Sequence, residues 1–128
     1  MSPKTHRVLS IESDAGDYQK ICAALSDLPV EVVNTPSGAA AIAFLAQEVP
    51  PLILLDIELP DMRGWDILER YKADQRLISS RVVVLTAQSS PVHRLIGSLQ
   101  DMVVGYMTKP VEPGRLVEVV RWALDLNA

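Results

Sequence analysis

Apolar positions along this 128-residue chain fall into short unbroken runs that alternate with longer stretches of helical spacing. Residues 7–11, 30–33, 52–56, 81–86 and 103–107 are compact runs rich in Val, Ile and Leu, the signature of buried strands. Between them, residues 15–25 place Tyr18, Ile21, Cys22 and Leu25 on one helical face. Residues 37–47 are alanine-rich, carry Ile42 and Leu45, and are stopped by Pro50-Pro51. Residues 65–73 hold Trp65 and Leu68 in helical register. Ser89-Ser90-Pro91 reads as a cap with proline in the first turn of a helix running to Leu99, and residues 113–126 read as the last helix. Five strand–helix units in succession predict an α/β fold, a doubly wound parallel sheet covered on both faces by five helices.

Composition narrows the function classes. Hydrophobic residues make up 48% of the chain, which argues against disorder. The net charge of −4 comes without a basic run, so neither nucleic acid nor an anionic membrane is an expected partner. Cys22 is the single cysteine; no internal disulfide or thiolate metal cluster can form, and it is expected as a small core residue. Residues 1–7 are polar and the next apolar segment is broken by Glu12, too short for a signal peptide or a membrane span, so a cytoplasmic location is expected. No repeat or linker divides the sequence, and one domain over 1–128, with its core at about 7–126 and no effector domain, is expected.

The strand ends carry the candidate chemistry. The run Leu52-Ile53-Leu54-Leu55 stops on Asp56; Glu12, Ser13 and Asp14 follow the first strand; Thr86-Ala87 ends the fourth; Lys109-Pro110 follows the fifth. In a doubly wound sheet these ends converge on one edge, where ligands bind. Asp56 is then a carboxylate nucleophile able to form an acyl phosphate. Acidic neighbours suit Mg²⁺ (or Mn²⁺), and the Thr86 hydroxyl and Lys109 ammonium suit the oxygens of a phosphoryl group in transfer.

This set resembles the receiver domain of two-component response regulators, the family that includes the chemotaxis regulator of the flagellar motor. Its most specific pieces are Asp56-x-x-Leu59-Pro60-Asp61-Met62-x-Gly64 and Tyr106-Met107-Thr108-Lys109-Pro110, with Thr86-Ala87 between them. The resemblance implies a flavodoxin-like sheet of order 2-1-3-4-5. It implies phosphoryl transfer from a histidine kinase or phosphotransfer protein onto Asp56, and no enzymatic turnover beyond self-phosphorylation and self-dephosphorylation. Metal would be held by Glu12, Asp56 and the backbone carbonyl of Glu58, and Thr86 with Tyr106 would act as the switch. A downstream protein, or a second copy of the chain, would dock on the fourth helix, fifth strand and fifth helix. A cis bond before Pro110 would turn Lys109 inward.

Two positions depart from the family pattern. Ser13 stands where a second acid is usual; its hydroxyl is expected at most to hold a metal-bound water, so the metal should bind weakly. Met102-Val103 replaces the usual Gly-Ala, which should alter the turn after the fourth helix. Asp14 and Asp17 are expected as helix-start charges rather than ligands. His6 and His93 are expected at the surface. In the last helix, Arg115, Glu118, Trp122 and Asp125 share a stripe opposite Leu116, Val119, Val120 and Ala123, which makes Trp122 a candidate contact residue. Two rival readings stand beside the phosphoacceptor. One is a receiver-like interaction module that works without phosphorylation, motivated by Ser13. The other is a phosphatase of the haloacid dehalogenase class, which needs an aspartate where this chain has Glu58.

Overall fold

The computed structural model describes residues 6–73, 80–87 and 103–126. β1 (His6–Ile11), β2 (Val30–Thr35), β3 (Leu52–Asp56), β4 (Arg81–Thr86) and β5 (Val103–Thr108) form one parallel sheet in the order β2-β1-β3-β4-β5. Among the described residues, four helices alternate with the strands: α1 (Ala15–Ala24), α2 (Gly38–Gln47), α3 (Gly64–Ala73) and α4 (Pro113–Ala123). The sheet and its order are those expected from sequence. The helix expected to end at Leu99, with His93 and Met102, lies outside the described residues, so α4 is the fifth helix of the sequence reading.

All five residues of β3 are buried, which is why its sequence is a continuous apolar run rather than an alternation. Strand parity splits the core in two. Leu9, Ile11, Ile53, Leu55, Val82 and Val84 pack with Ala41 and Leu45 of α2 and with Ile67 and Leu68 of α3. Val8, Leu52, Leu54, Val83, Leu85 and Met107 pack with Ile21 and Leu25 on the α1 side and with Leu116, Val120 and Ala123 of α4. Cys22 is half-buried beside this second core rather than inside it, and His6 is half-buried at the start of β1 rather than exposed.

Side-chain caps start the helices. The Asp14 carboxylate accepts from the Asp17 N–H, the Ser37 hydroxyl from Ala40, and the Glu112 carboxylate from Gly114 and Arg115, with Pro113 opening α4. α4 stops at Ala123, short of the expected 126. The Leu126 N–H reaches back to the Arg121 carbonyl at 2.7 Å and the Asp125 N–H to the Trp122 carbonyl at 3.1 Å. That pair of bonds closes a helix when the residue between takes the left-handed conformation, and Asp125 does so at φ 58°. Aspartate does there what glycine usually does, so nothing in the composition announced the stop.

The loop after β3 ties two layers together. The Asp61 carboxylate accepts from the Gly38 N–H at 2.8 Å and from Ala39 at 2.9 Å, satisfying the open N-terminus of α2. Those two bonds hold its carboxyl below the usual aspartate value. The Gly64 N–H returns to the Ile57 carbonyl at 2.8 Å. A Cβ on Gly64 would stand 2.7 Å from the Asp56 carbonyl oxygen and 2.9 Å from Ile57 Cα. Both neighbours are backbone, so the strand end itself would have to move. Gly64→Ala should therefore cost about 1–3 kcal/mol of folding stability, the scale of overpacking. Chemical denaturation checks it, and a loss within error would mean that the loop yields without strain.

Candidate functional site

β1 and β3 lie side by side and deliver Glu12 and Asp56 to the same sheet edge. Continuing the strand alternation, both side chains fall on the α1 face of the sheet, in line with Val8 and Leu54. Both are almost fully buried, Glu12 at 2% exposure and Asp56 at 5%. Two carboxylates in that setting require a cation. Lys109, just past β5, supplies it. Its Nζ donates to Glu12 Oε2 at 2.7 Å, to Asp17 Oδ2 at 3.0 Å and to Asp56 Oδ2 at 3.1 Å. The Lys109–Pro110 peptide is cis.

Backbone groups fix the remaining carboxylate oxygens. The Asp14 N–H donates to Glu12 Oε1 at 3.1 Å, and the Glu58 N–H donates to Asp56 Oδ1 at 2.9 Å. The Lys109 N–H donates to the Thr86 carbonyl at 2.7 Å. Thr86 is fully buried and lies one residue beyond Leu85, the β4 partner of Asp56.

The carboxylates outnumber the ammonium, and the titration of the groups reflects it. Burial pushes the Glu12 carboxyl up to about 7; the facing Asp56 charge adds to this, while hydrogen bonds from Lys109 and the Asp14 N–H work against it. Burial alone would lower Lys109, but the hydrogen bonds to Glu12 and Asp17 and the charges of Asp56 and Glu12 carry it above its ordinary value. The most buried acid is thus the one that gives way, and the lysine stays charged.

The structure brings Glu12, Asp56 and Lys109 together and sets Thr86 beside them. Ser13 is exposed. Glu58 is also exposed, and its backbone bridges to Arg63. Tyr106 packs against the core that faces α2 and α3. Asp14 is the cap of α1, as expected of a helix-start charge. Asp17 is an acid in the first turn of α1, as expected, and also binds Lys109, a contact that sequence reasoning missed. The signal was its place three residues after the cap, where a helical side chain leans back toward the N-terminus and so toward the sheet edge.

Among the described residues, no three His, Cys, Asp or Glu side chains surround one metal-sized position. Glu12 and Asp56 nevertheless converge on one cation. Mg²⁺ takes one or two carboxylates and keeps several waters, so this donor set fits a hard cation. Among the described residues no helix is long and apolar enough to cross a membrane.

Comparison with known proteins agrees with this geometry. The family model described as the response regulator receiver domain matches residues 8–121. The chain is 29% identical to the DNA-binding response regulator MtrA of Mycobacterium tuberculosis over 127 residues, 99% of this chain and 54% of MtrA, so it spans about half of that relative's length. The signal receiver domain of a putative LuxO repressor protein from Vibrio parahaemolyticus is 30% identical, with TM-score 0.84 over 95% of this chain and 92% of that one. The phosphorylated cyanobacterial phytochrome response regulator RcpA is 28% identical, with TM-score 0.82 over 97% of each chain.

The displaced Glu12 carboxyl gives a signed expectation for pH. Its folded value, about 7, lies above the ordinary 4.5, so the folded state disfavours its ionisation. Wild-type stability should fall relative to Glu12→Gln as pH rises from 4.5 to 7, then level off. The relative change should be on the order of 3 kcal/mol. Thermal or urea denaturation of the two proteins across that range measures it; parallel curves would mean that Glu12 ionises as freely folded as unfolded.

Proposed function

The chain belongs to the response regulator receiver domain family, and we propose that it is the phosphoacceptor of a two-component phosphorelay, phosphorylated on Asp56. Receiver domains are signal switches rather than turnover catalysts, and they hold Mg²⁺ in their acidic site. The observation that carries the reading is Asp56 itself, a buried carboxylate at the end of the central strand with Lys109 on one oxygen and the Glu58 N–H on the other. That RcpA, a relative of the same fold, has been solved phosphorylated supports it.

In the proposed reaction an Asp56 oxygen attacks the phosphorus of a phosphohistidine on a histidine kinase or phosphotransfer protein. The P–O bond to Asp56 forms as the P–N bond breaks, and its electron pair returns to the imidazole nitrogen. Lys109 neutralises charge on the transferring phosphoryl oxygens, and the Thr86 hydroxyl donates to one of them. Glu12, Asp56 and the Glu58 carbonyl would hold Mg²⁺, Ser13 at most through a water, and the bound metal would neutralise phosphoryl charge. Thr86 and Tyr106 form the switch. Tyr106 pairs with Val84 and Thr108 with Thr86 on adjoining strands, so the two switch side chains stand on one face of the sheet. Phosphorylation biases an equilibrium between two arrangements of that face.

Asp56→Asn keeps the shape and removes the nucleophile. Incubated with acetyl phosphate and Mg²⁺, wild type should gain a phosphoryl adduct on Asp56 by mass spectrometry, and the variant should show none. Uptake by the variant at the wild-type level sinks the assignment. A wild type that takes up nothing, yet still binds its partner, would favour the phosphate-independent module that the neutral Ser13 suggests.

The output is proposed to leave through β5 and α4. Among the described residues Trp122 is the one large hydrophobic side chain that stands exposed, at 54%, and Arg115, Glu118 and Asp125 of its stripe are exposed with it. Leu116, Val120 and Ala123 on the opposite side are buried. An indole in that setting is an interface anchor for a downstream protein or a second copy. Trp122→Ala should change folding stability by less than about 1 kcal/mol and weaken association at least tenfold, or about 1.4 kcal/mol. A loss of about 3–5 kcal/mol in a denaturation curve would instead make Trp122 a core residue.

A further inference from the structure

We propose that Asp17 is a positioning residue for phosphoryl transfer: it is the carboxylate that Lys109 gives up when a phosphoryl oxygen arrives on Asp56. The inference rests on the phosphoacceptor reading and adds to it a residue outside the strand ends.

An ammonium has three N–H donors and no acceptor. In this structure three carboxylate oxygens, of Glu12, Asp17 and Asp56, lie at 2.7, 3.0 and 3.1 Å from Lys109 Nζ and take them up. A phosphoryl oxygen therefore gains an N–H only by displacing one of the three. The three do not cost the same to release. The Glu12 side chain is 1% exposed and that of Asp56 7%, whereas that of Asp17 is 33% exposed. Glu12 has no solvent to take the ammonium's place, and the N–H on Asp56 already stands at the group that receives the phosphoryl. Asp17 opens to water, so its lone pairs are resolvated when Lys109 leaves. It also lines a cavity between α1 and α4 with Lys20, one helical turn further along, a second cation for the freed carboxylate to face.

Asp17 is held for this exchange. Its backbone N–H is bound by the Asp14 carboxylate at 2.9 Å, which fixes the first turn of α1. Ser13, the neighbouring position that the family usually fills with an acid, is neutral and exposed, so Asp17 is the third carboxylate of this pocket. It draws the ammonium toward α1. Lys109 thus divides its three N–H donors among Glu12, Asp17 and Asp56, which leaves the Asp56 oxygen a smaller share of the ammonium than it would have alone. In the exchange Lys109 stays protonated; the P–O bond to Asp56 forms, the donor's bond to phosphorus breaks with its electrons leaving on the donor, and one N–H passes from Asp17 to a phosphoryl oxygen.

The test follows the Lys109 ammonium by NMR of the ¹⁵N-labelled chain as wild type, Asp17→Asn and Asp17→Glu. Each is measured alone and with Mg²⁺ and beryllofluoride, a phosphoryl analogue. Alone, Asp17→Asn should shift the Lys109 Nζ signal and speed its proton exchange about tenfold, the scale of one charged hydrogen bond, and Asp17→Glu should restore both. With beryllofluoride on Asp56 the three proteins should give one Lys109 signal, because the lysine has left position 17. A difference that persists unchanged with the analogue makes Asp17 a standing anchor and overturns the exchange. No difference in either state makes it a solvated helix-start acid and also overturns it. The fluorine signal separates the two readings: wild type with no adduct on Asp56 removes the phosphoacceptor reading and the exchange together, whereas an adduct with a persistent difference removes the exchange alone.

Discussion

A carboxylate leaves water only when something else holds its charge, and the sheet edge of this protein buries two of them side by side. Asp56 ends β3 and Glu12 follows β1, both strands of the buried core, so the strands that make the core also carry the acids out of solvent. The ammonium of Lys109 is what makes that edge stable, and it is delivered from β5, across β4, by a hydrogen bond of its own backbone to the Thr86 carbonyl. The arrangement is still overdrawn in negative charge, with a raised Glu12 as the visible result. A pocket in that condition attracts cations and rewards any change that spreads its charge, which is the electrostatic setting that a metal-assisted phosphoryl transfer requires.

The loop behind Asp56 shows how a motif that looks chemical is in large part architectural. Asp61 touches nothing at the ammonium; it closes the N-terminus of α2. Gly64 is required because the chain folds back against the backbone of Asp56 and Ile57, with no room for a Cβ. Met62 lies over Gly38 so closely that a side chain there would collide with it. These contacts fasten the loop to α2 on one side and to β3 on the other. The Asp56 backbone is therefore placed by groups that do not touch the Lys109 ammonium.

The hydrophobic pattern was enough to read the sheet and its parallel pairing, because buried parallel strands are written as unbroken apolar runs and each is set off by helical spacing, whereas the strand order came from the family resemblance. Asp56, Glu12 and Lys109 were legible for the same reason: charges at the ends of such runs have one edge to go to. Helix ends were less legible. α4 overran in the reading because Asp125 adopts a conformation that composition assigns to glycine. The contact of Asp17 with Lys109 was not legible, because an acid in the first turn of a helix has a sufficient explanation in the helix dipole. Only the packing of α1 against the sheet edge decides whether that acid faces water or Lys109, and spacing along one helix carries no information about a lysine from a strand far along the chain.

Strand parity also separates two tasks within the proposed mechanism. Glu12, Asp56 and Lys109 gather on the side of α1, while Thr86 and Tyr106 follow the parity of Val84, whose neighbours are α2 and α3. A signal that begins with charge at Asp56 must therefore cross the sheet to reach Tyr106. A hydrogen-bonded route runs through β4, and Thr86 sits on it: its carbonyl is bound by the Lys109 N–H, its neighbour Leu85 pairs with Asp56, and its strand pairs with that of Tyr106. In the proposed exchange Lys109 changes partners at its ammonium while its backbone N–H stays on the Thr86 carbonyl. Lys109 thus binds the buried carboxylates at its ammonium and β4 at its backbone N–H, so one residue joins the acidic edge to the strand that pairs with Tyr106.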